Sequence, residues 1–355
     1  MKNSLRILYV GPMWEGGTCL QRMKVLREFG HNIVEIDTQP EQVRLAEKSL
    51  FYRIRGKLFR SGLNMFGLPD LAGVNSQIAE ITKKSQGWNI LWIDKVLTIE
   101  AQTLNQVKAA CPKCIIVGYS PDDMFARHNQ SRQFLQSLPI YDIYFTTKSY
   151  GVAELKSLGC KRAEFIGNAY DPNTHKPVPV SDEERKKLGG GAGFIGQWEP
   201  ERAASMLKMA KAGIPVRIWG YTWEKFKERH HNLILENRPL WGQDYAKAIC
   251  AFDINLTFLR KINRDLQTSR SIEIPACGAF MLAERTDEHL ALFEEGKEAG
   301  FFGSDEELVD KVRYYLAHPE ERKCIAAAGR ERCLKSGYSY QDRLKQMLNA
   351  IESLM

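Results

Sequence analysis

"RILYVGPMWEGGTCLQRMKVLREFGHNIVEID", residues 6–37, sets a short apolar run, a glycine-bearing turn, an amphipathic run and a second apolar run in series. Such alternation predicts an α/β architecture, a parallel sheet wrapped by helices. The same alternation continues through "WNILWID", "CIIVGY" and "IYFTT", with helical segments between. It pauses at residues 168–192, "NAYDPNTHKPVPVSDEERKKLGGGA", whose proline, charge and glycine read as an interdomain linker. Beyond it, "GFIGQW", "VRIWGY", "LILEN", "DINLTF" and "GAFMLAE" supply strands, while "ERAASMLKMAKAG", "GQDYAKAICA" and "SDEELVDKVRYYLAHP" supply helices. Two doubly wound domains facing each other across a cleft are therefore expected. In such sheets ligands bind beyond the carboxyl ends of the strands. The expected bounds are 1–170 for the first domain, 171–190 for the linker, 191–337 for the second domain, and 338–355 for a final helix that crosses back to the first.

Bulk properties narrow the function only a little. The chain has 355 residues, 44% hydrophobic and 26% charged, the composition of a globular protein with room for two cores. A net charge of +7 suits an anionic ligand, an anionic membrane surface or nucleic acid, and selects none of them. No run is long and apolar enough to span a bilayer, and "MKNSLRILYVGPMW" turns into a strand and Gly-Pro where a signal peptide needs a longer apolar region. A cytoplasmic location is expected. The eight cysteines lack regular spacing and are expected to be reduced. Cys111 and Cys114 form a CxxC that follows a helix and precedes a strand, the reverse of a redox motif, so a structural role is expected.

Three glycine-bearing turns fall at strand ends: "VGPMWEGGT" with Gly16 and Gly17, "GFIGQWEPER" with Gly196, and "WGYTW" between Tyr221 and Trp223. Glycine lets backbone N–H groups approach a phosphate, and it also simply makes tight turns. Arg202, six residues after Gly196, is placed to meet a diphosphate or to stay solvated in a first helical turn. In "RDLQTSRSIEIPACG", residues 264–278, Thr268 or Ser269 is a plausible N-cap. Asp265 then precedes the helix, Glu273 lies one turn inside it, and Pro275 limits its length. Those two acids either accept hydrogen bonds from sugar hydroxyls or merely favour the positive helix end.

This region resembles the E-x7-E segment of the retaining GT-B glycosyltransferases of group 1, with Asp265 on the first acid and Glu273 on the second. Residues 11–37 look like that family's first strand, diglycine loop and helix ending in "GH". Residues 145–177 look like its pre-linker segment, and "GFIGQWEPER" resembles its "GRL-K" loop with Arg202 on the lysine position. "IPACGAFML", "LFEEGKEAGFF" and "YYLAHPEERKCIAAAGRER" are similar to the subgroup that resembles the spore maturation protein CgeB.

The resemblance implies the GT-B fold, two Rossmann-like domains with the acceptor on the first and the donor on the second. It implies Glu273 on the ribose hydroxyls of a nucleotide diphosphate sugar, a UDP-sugar above all, and Arg202 on the diphosphate. Asp265 and the amides of Thr268 and Ser269 face the donor sugar or its phosphate, and Gly16 and Gly17 approach from the first domain. Two departures stand out. Asp replaces the first Glu, and Gln197 replaces an arginine, so that one diphosphate cation is missing, for which Arg264 and Arg270 are the candidate replacements. Charge building on the leaving diphosphate would be met by Arg202, Arg270 and helix amides, with no metal or other cofactor required.

Asp122 and Asp123 in "SPDDM" lack the spacer of a DxD metal motif, and acceptor binding or structure is expected of them. Were the reaction inverting, Asp122, Asp123 or His128 would be the base. Tyr221 and Trp223 border the nucleotide base or belong to the core. The acceptor is a carbohydrate, glycoconjugate or protein. No motif supports nucleic acid as a partner, and the basic residues 44–67 suit either peripheral membrane contact or an exposed helix. Two rivals remain: a sugar-nucleotide epimerase on the same scaffold, and a non-catalytic sugar-nucleotide-binding or assembly protein.

Overall fold

The computed structural model describes residues 4–47 and 67–355. Residues 48–66, which hold most of the basic segment considered for membrane contact, lie outside the described residues. Two compact units form, one from Met1–Gly167 together with Tyr340–Met355, the other from Asn168–Ser339.

The first unit holds a parallel sheet of order β2-β1-β3-β4-β5-β6. Its strands are β1 (Arg6–Gly11), β2 (Asn32–Asp37), β3 (Ile90–Asp94), β4 (Ile115–Ser120), β5 (Ile143–Thr146) and β6 (Ala163–Phe165). Leu8 pairs with Val34 on one side and Leu91 on the other, which fixes the register of the quoted strand–helix–strand stretch. β3 and β4 are buried along their whole length, as central strands covered by helices on both faces must be. Trp92 of β3 stacks on Tyr9 of the neighbouring β1 at a centroid distance of 5.9 Å and on Phe145 of β5, one strand further on, at 6.5 Å. Helix Tyr340–Glu352 packs on helix Thr18–Glu28 within this unit.

The second unit repeats the plan with a parallel sheet of order β12-β11-β10-β7-β8-β9. Here the strands are β7 (Gly190–Ile195), β8 (Val216–Trp219), β9 (Leu233–Leu235), β10 (Phe252–Thr257), β11 (Met281–Glu284) and β12 (Gly300–Phe302). Phe194, Ile218, Trp223, Ile254, Phe258 and Phe280 fill its core.

Part of the stretch read as linker is ordered secondary structure. Ser181 Oγ accepts the Glu184 N–H, and Glu184 Oε2 accepts the Ser181 N–H, a capping box that starts helix Asp182–Leu188. Three acids in its first turn and three bases in its last suit the helix dipole. Strand β7 then begins at Gly190. Cys111 and Cys114 are free and buried in the turn between helix Ala101–Ala110 and β4, where burial pushes the Cys114 thiol up to about 12. Among the described residues, no helix is long and apolar enough to cross a membrane.

Candidate functional site

β7 and β10 are neighbours in the second sheet, yet the chain leaves β7 towards β8 on one side and leaves β10 towards β11 on the other. Their carboxyl ends are a topological switch point, where doubly wound sheets open a crevice. Three arginines gather there. Helix Pro200–Lys211 starts with proline at its first position and carries Arg202 in its first turn. Arg202 is only 3% exposed, with its guanidinium 5.3 Å from the centre of the Phe194 ring. Its Nη1 donates to the Gln197 carbonyl at 3.0 Å, and its Nη2 to Glu199 Oε2 at 3.2 Å. Arg260 Nε donates to the other oxygen of Glu199 at 2.9 Å.

Arg270 opens helix Arg270–Ala276, with its guanidinium 5.7 Å from the same Phe194 ring. Among the described residues it makes no side-chain hydrogen bond or ion pair, and its Nε and that of Arg202 are both buried without a partner. Burial, then the charge of Arg270, pulls the Arg202 guanidinium down to about 10. Glu199 is shared by two of the arginines, and Glu284 is already paired with Lys261. The cluster is short of negative charge.

The E-x7-E stretch lies alongside. Asp265 is 8% exposed and its Oδ1 accepts from Asn263 Nδ2 at 2.7 Å, while Arg264 before it is exposed in the left-handed region at φ +45°. Ser269 is the N-cap residue of the helix, one of the two the sequence offered, but its side chain makes no capping hydrogen bond. Ser271 ties down the turn before the helix, with Oγ accepting the Thr268 N–H at 3.0 Å and lying 2.7 Å from His289 Nε2. His289 Nδ1 lies 2.6 Å from the Glu284 carbonyl, so Nδ1 carries the proton and Nε2 accepts from the serine. Burial lowers the His289 pKa, which suits this neutral tautomer. The Thr268 hydroxyl is buried without a partner.

Glu273, one turn into the helix, is 7% exposed. Its Oε2 accepts from the Tyr245 hydroxyl at 2.6 Å and its Oε1 lies 3.8 Å from His175 Nε2. The His175 and Tyr245 rings meet edge to face at 5.8 Å. Burial and the nearby Glu273 raise the Tyr245 phenol well above its ordinary value, so it stays a donor. Pro275 sits inside the helix, which ends one residue later.

Trp223 does not border a base. It is 1% exposed in the core, and its indole N–H donates to the Gly196 carbonyl at 2.9 Å, so it braces the turn from beneath. The two turns are tightly apposed: at Gly220, with φ +154°, a Cβ would lie 1.9 Å from the Gly196 carbonyl oxygen, which only glycine avoids. Tyr221 is 54% exposed, and its ring lies 6.5 Å from that of Trp241, itself 47% exposed. Trp241, Arg260, Tyr245, His175, Ser271 and His289 were not singled out from the sequence.

In the first unit, Gly16 takes φ +81°, and Gly17 is the N-cap residue of helix Thr18–Glu28. The Gly17 N–H is already bonded to the Trp14 carbonyl at 3.1 Å, and a Cβ on Gly17 would lie 3.0 Å from Trp14, so this glycine serves the packing of its own turn. Asp122 pairs with Lys95. Asp123 is unsuited to act as a base. It is 1% exposed and its Oδ1 accepts the N–H groups of Phe125 and Ala126 at 3.0 and 3.3 Å, which folds the loop. His128 is half-buried, with Nε2 3.3 Å from Asn129 Nδ2. Among the described residues, no group of three His, Cys, Asp or Glu side chains could hold a metal ion.

Solved structures share this architecture over nearly the whole chain. HepE of Anabaena, in complex with UDP, aligns with a TM-score of 0.61 at 13% identity, over 98% of this chain and 100% of that one. An α,α-trehalose-phosphate synthase (UDP-forming) from Burkholderia vietnamiensis gives 0.67 at 11%, over 99% and 100%. The fold is GT-B. A putative UDP-N-acetylglucosamine 2-epimerase from Listeria monocytogenes also aligns, at 0.56 and 12%, over 99% of this chain and 96% of that one. Residues 201–349, which hold Arg202, Arg270 and Glu273, match the family described as glycosyl transferase-like. A search of curated proteins finds no match.

Proposed function

We propose that the chain is a glycosyltransferase that moves a sugar from a nucleotide diphosphate sugar, a UDP-sugar, to an acceptor hydroxyl. The observation that carries this is the arginine cluster at the β7/β10 switch point, where two buried guanidinium nitrogens lack partners and Glu199 serves two of the cations. A diphosphate would supply the missing acceptors and charge. The glycosyl transferase-like match over residues 201–349 supports the same reading.

Arg202 and Arg270 hold the diphosphate and stabilise the charge that builds on it as the bond to the sugar breaks. Glu273 takes the ribose hydroxyls by giving up one of its present neighbours, Tyr245 or His175. Tyr221 and Trp241 frame the base, and Asp265 with Arg264 faces the sugar. Transfer proceeds with retention and without a metal, so that no side-chain base is required, and the first unit takes the acceptor.

An epimerase is the second reading, favoured by the likeness to the Listeria protein. One screen separates the readings: thermal shift with UDP-, GDP-, ADP- and dTDP-sugars, then mass spectrometry of the products. Released nucleotide diphosphate is the expected result, free epimer would point to the epimerase, and a shift without turnover would leave a binding protein. Glu273→Ala is expected to weaken nucleotide-sugar binding and abolish turnover. Unchanged calorimetric binding by the folded variant would remove Glu273 from the site.

A further inference from the structure

At the amino ends of β10 and β11, away from Arg202, the second unit has an open cavity of about 490 Å³. That is within the usual range for small-molecule sites, about 300–1,000 Å³. One wall is helix Pro319–Lys335, whose Arg322, Ala326 and Arg330 recur at helical spacing and share a face. The other holds Asp253 near the start of β10, the turn at Gly278 and the thiol-bearing Cys250.

Arg185, Arg322, Lys323 and Arg330 line this cavity against one acid. Asp253 is fully committed, with Oδ2 2.7 Å from Arg185 Nη2 and Oδ1 2.6 Å from Arg322 Nη2. Lys323 turns to Glu320 at 2.7 Å. Arg330 is left over. Among the described residues it makes no side-chain hydrogen bond or ion pair, and its Nε is buried without a partner. A buried guanidinium nitrogen that lacks an acceptor, beside a cavity with surplus positive charge, calls for an anion.

We propose that this cavity is a second anion site, which takes a small phosphorylated molecule by its phosphoryl group on Arg330 and Arg322. The fork of Arg330 supplies paired donors to the phosphoryl oxygens, and the rest of the cavity holds the organic body. Asp253 keeps its two arginines in place without neutralising Arg330. The site rests on no residue assigned to the donor.

Cys250 is a reporter at the cavity wall. Its Sγ lies 3.6 Å from the Cys277 carbonyl and is half-buried at the cavity wall, and its contact with Cys277 lowers the thiol below its ordinary value, so its alkylation rate reads what occupies the cavity. A phosphate bound beside it covers the sulfur and disfavours the thiolate.

The test is the iodoacetamide alkylation rate of Cys250, read peptide by peptide, with and without inorganic phosphate or glucose 6-phosphate, together with calorimetry of glucose 6-phosphate. Both probes are expected to slow Cys250 in the wild type and in Arg270→Ala. Arg330→Ala is expected to weaken the protection and the calorimetric affinity by about tenfold. Arg330→Gln, which keeps most of the side-chain volume, serves if the alanine variant does not fold. Equal protection in the folded Arg330 variants, or neither protection nor heat of binding in the wild type, would overturn the proposal. Loss of protection in Arg270→Ala would overturn it too, by moving the anion to the other edge.

Discussion

Each sheet has a buried arginine at the carboxyl end of its strands, and the two arginines live in opposite circumstances. In the first unit, Arg22 grips Asp94 with Nε and Nη2 at 2.8 and 2.9 Å. Its guanidinium lies 4.1 Å from the Tyr119 ring and 5.8 Å from that of Tyr340, and Tyr9 donates to the same carboxylate at 2.7 Å. Burial alone would lower the Arg22 pKa, but Asp94 more than offsets it and the value is raised well above the ordinary one. Arg202, equally hidden, is lowered to about 10 by burial and by Arg270. A buried cation with its own anion is a structural fastening. One crowded by other cations is an incomplete site, and that contrast separates a packing residue from a binding residue where burial cannot.

The contrast can be broken by substitution. Arg22→Ala should cause the largest loss, about 3–5 kcal/mol in urea unfolding, because it strands a buried carboxylate. Replacing both partners, as Arg22→Met with Asp94→Leu, should recover most of it. Arg270→Ala should do the reverse, leaving the unliganded protein as stable as before or slightly more so while calorimetric UDP affinity falls about 10- to 100-fold. A stability loss like that of Arg22→Ala would make Arg270 a packing residue. Trp223→Phe removes the indole bond to the Gly196 carbonyl and should cost about 1 kcal/mol of stability, with a smaller effect on UDP binding.

The smallest effect is a pH slope. His289 titrates near 6.5 when unfolded and lower when folded, so between those values the unfolded chain binds more protons. Its contribution is present in full above about pH 6.5 and is lost as pH falls below that, by at most about 1.4 kcal/mol per unit. Urea unfolding from pH 7 to 5 should show a shallower slope for His289→Gln than for the wild type.

Much of the fold was legible because periodicity is local. The runs at β1 to β5 and at β7 to β11 announce themselves in the sequence, β9 with only three residues, whereas β6 and β12, equally short, do not. The capping signature Ser181-x-x-Glu184 was present but was masked by the proline and glycine around it. At the site, Arg202 and Glu273 stood out through spacing and resemblance. Their surroundings did not, because the Glu273 cluster draws His175, Tyr245 and Glu273 from segments far apart in the chain. Trp223 and Tyr221 are two residues apart, and only the turn at the end of β8 decides which ring is buried. Asp123 looked like a candidate acid because sequence does not reveal that its carboxylate is spent on its own loop.

The shortage of anions around Phe194 has a consequence at the bench. An edge on which Arg202 and Arg270 each keep a buried nitrogen without a partner will recruit sulfate, phosphate or citrate from whatever solution the protein is kept in. Affinities for a donor measured in those buffers will be competition constants, weaker than the true ones, and melting temperatures will be flattered by the same ions. Chloride-based buffers of low ionic strength are the medium in which this edge will reveal its own preferences.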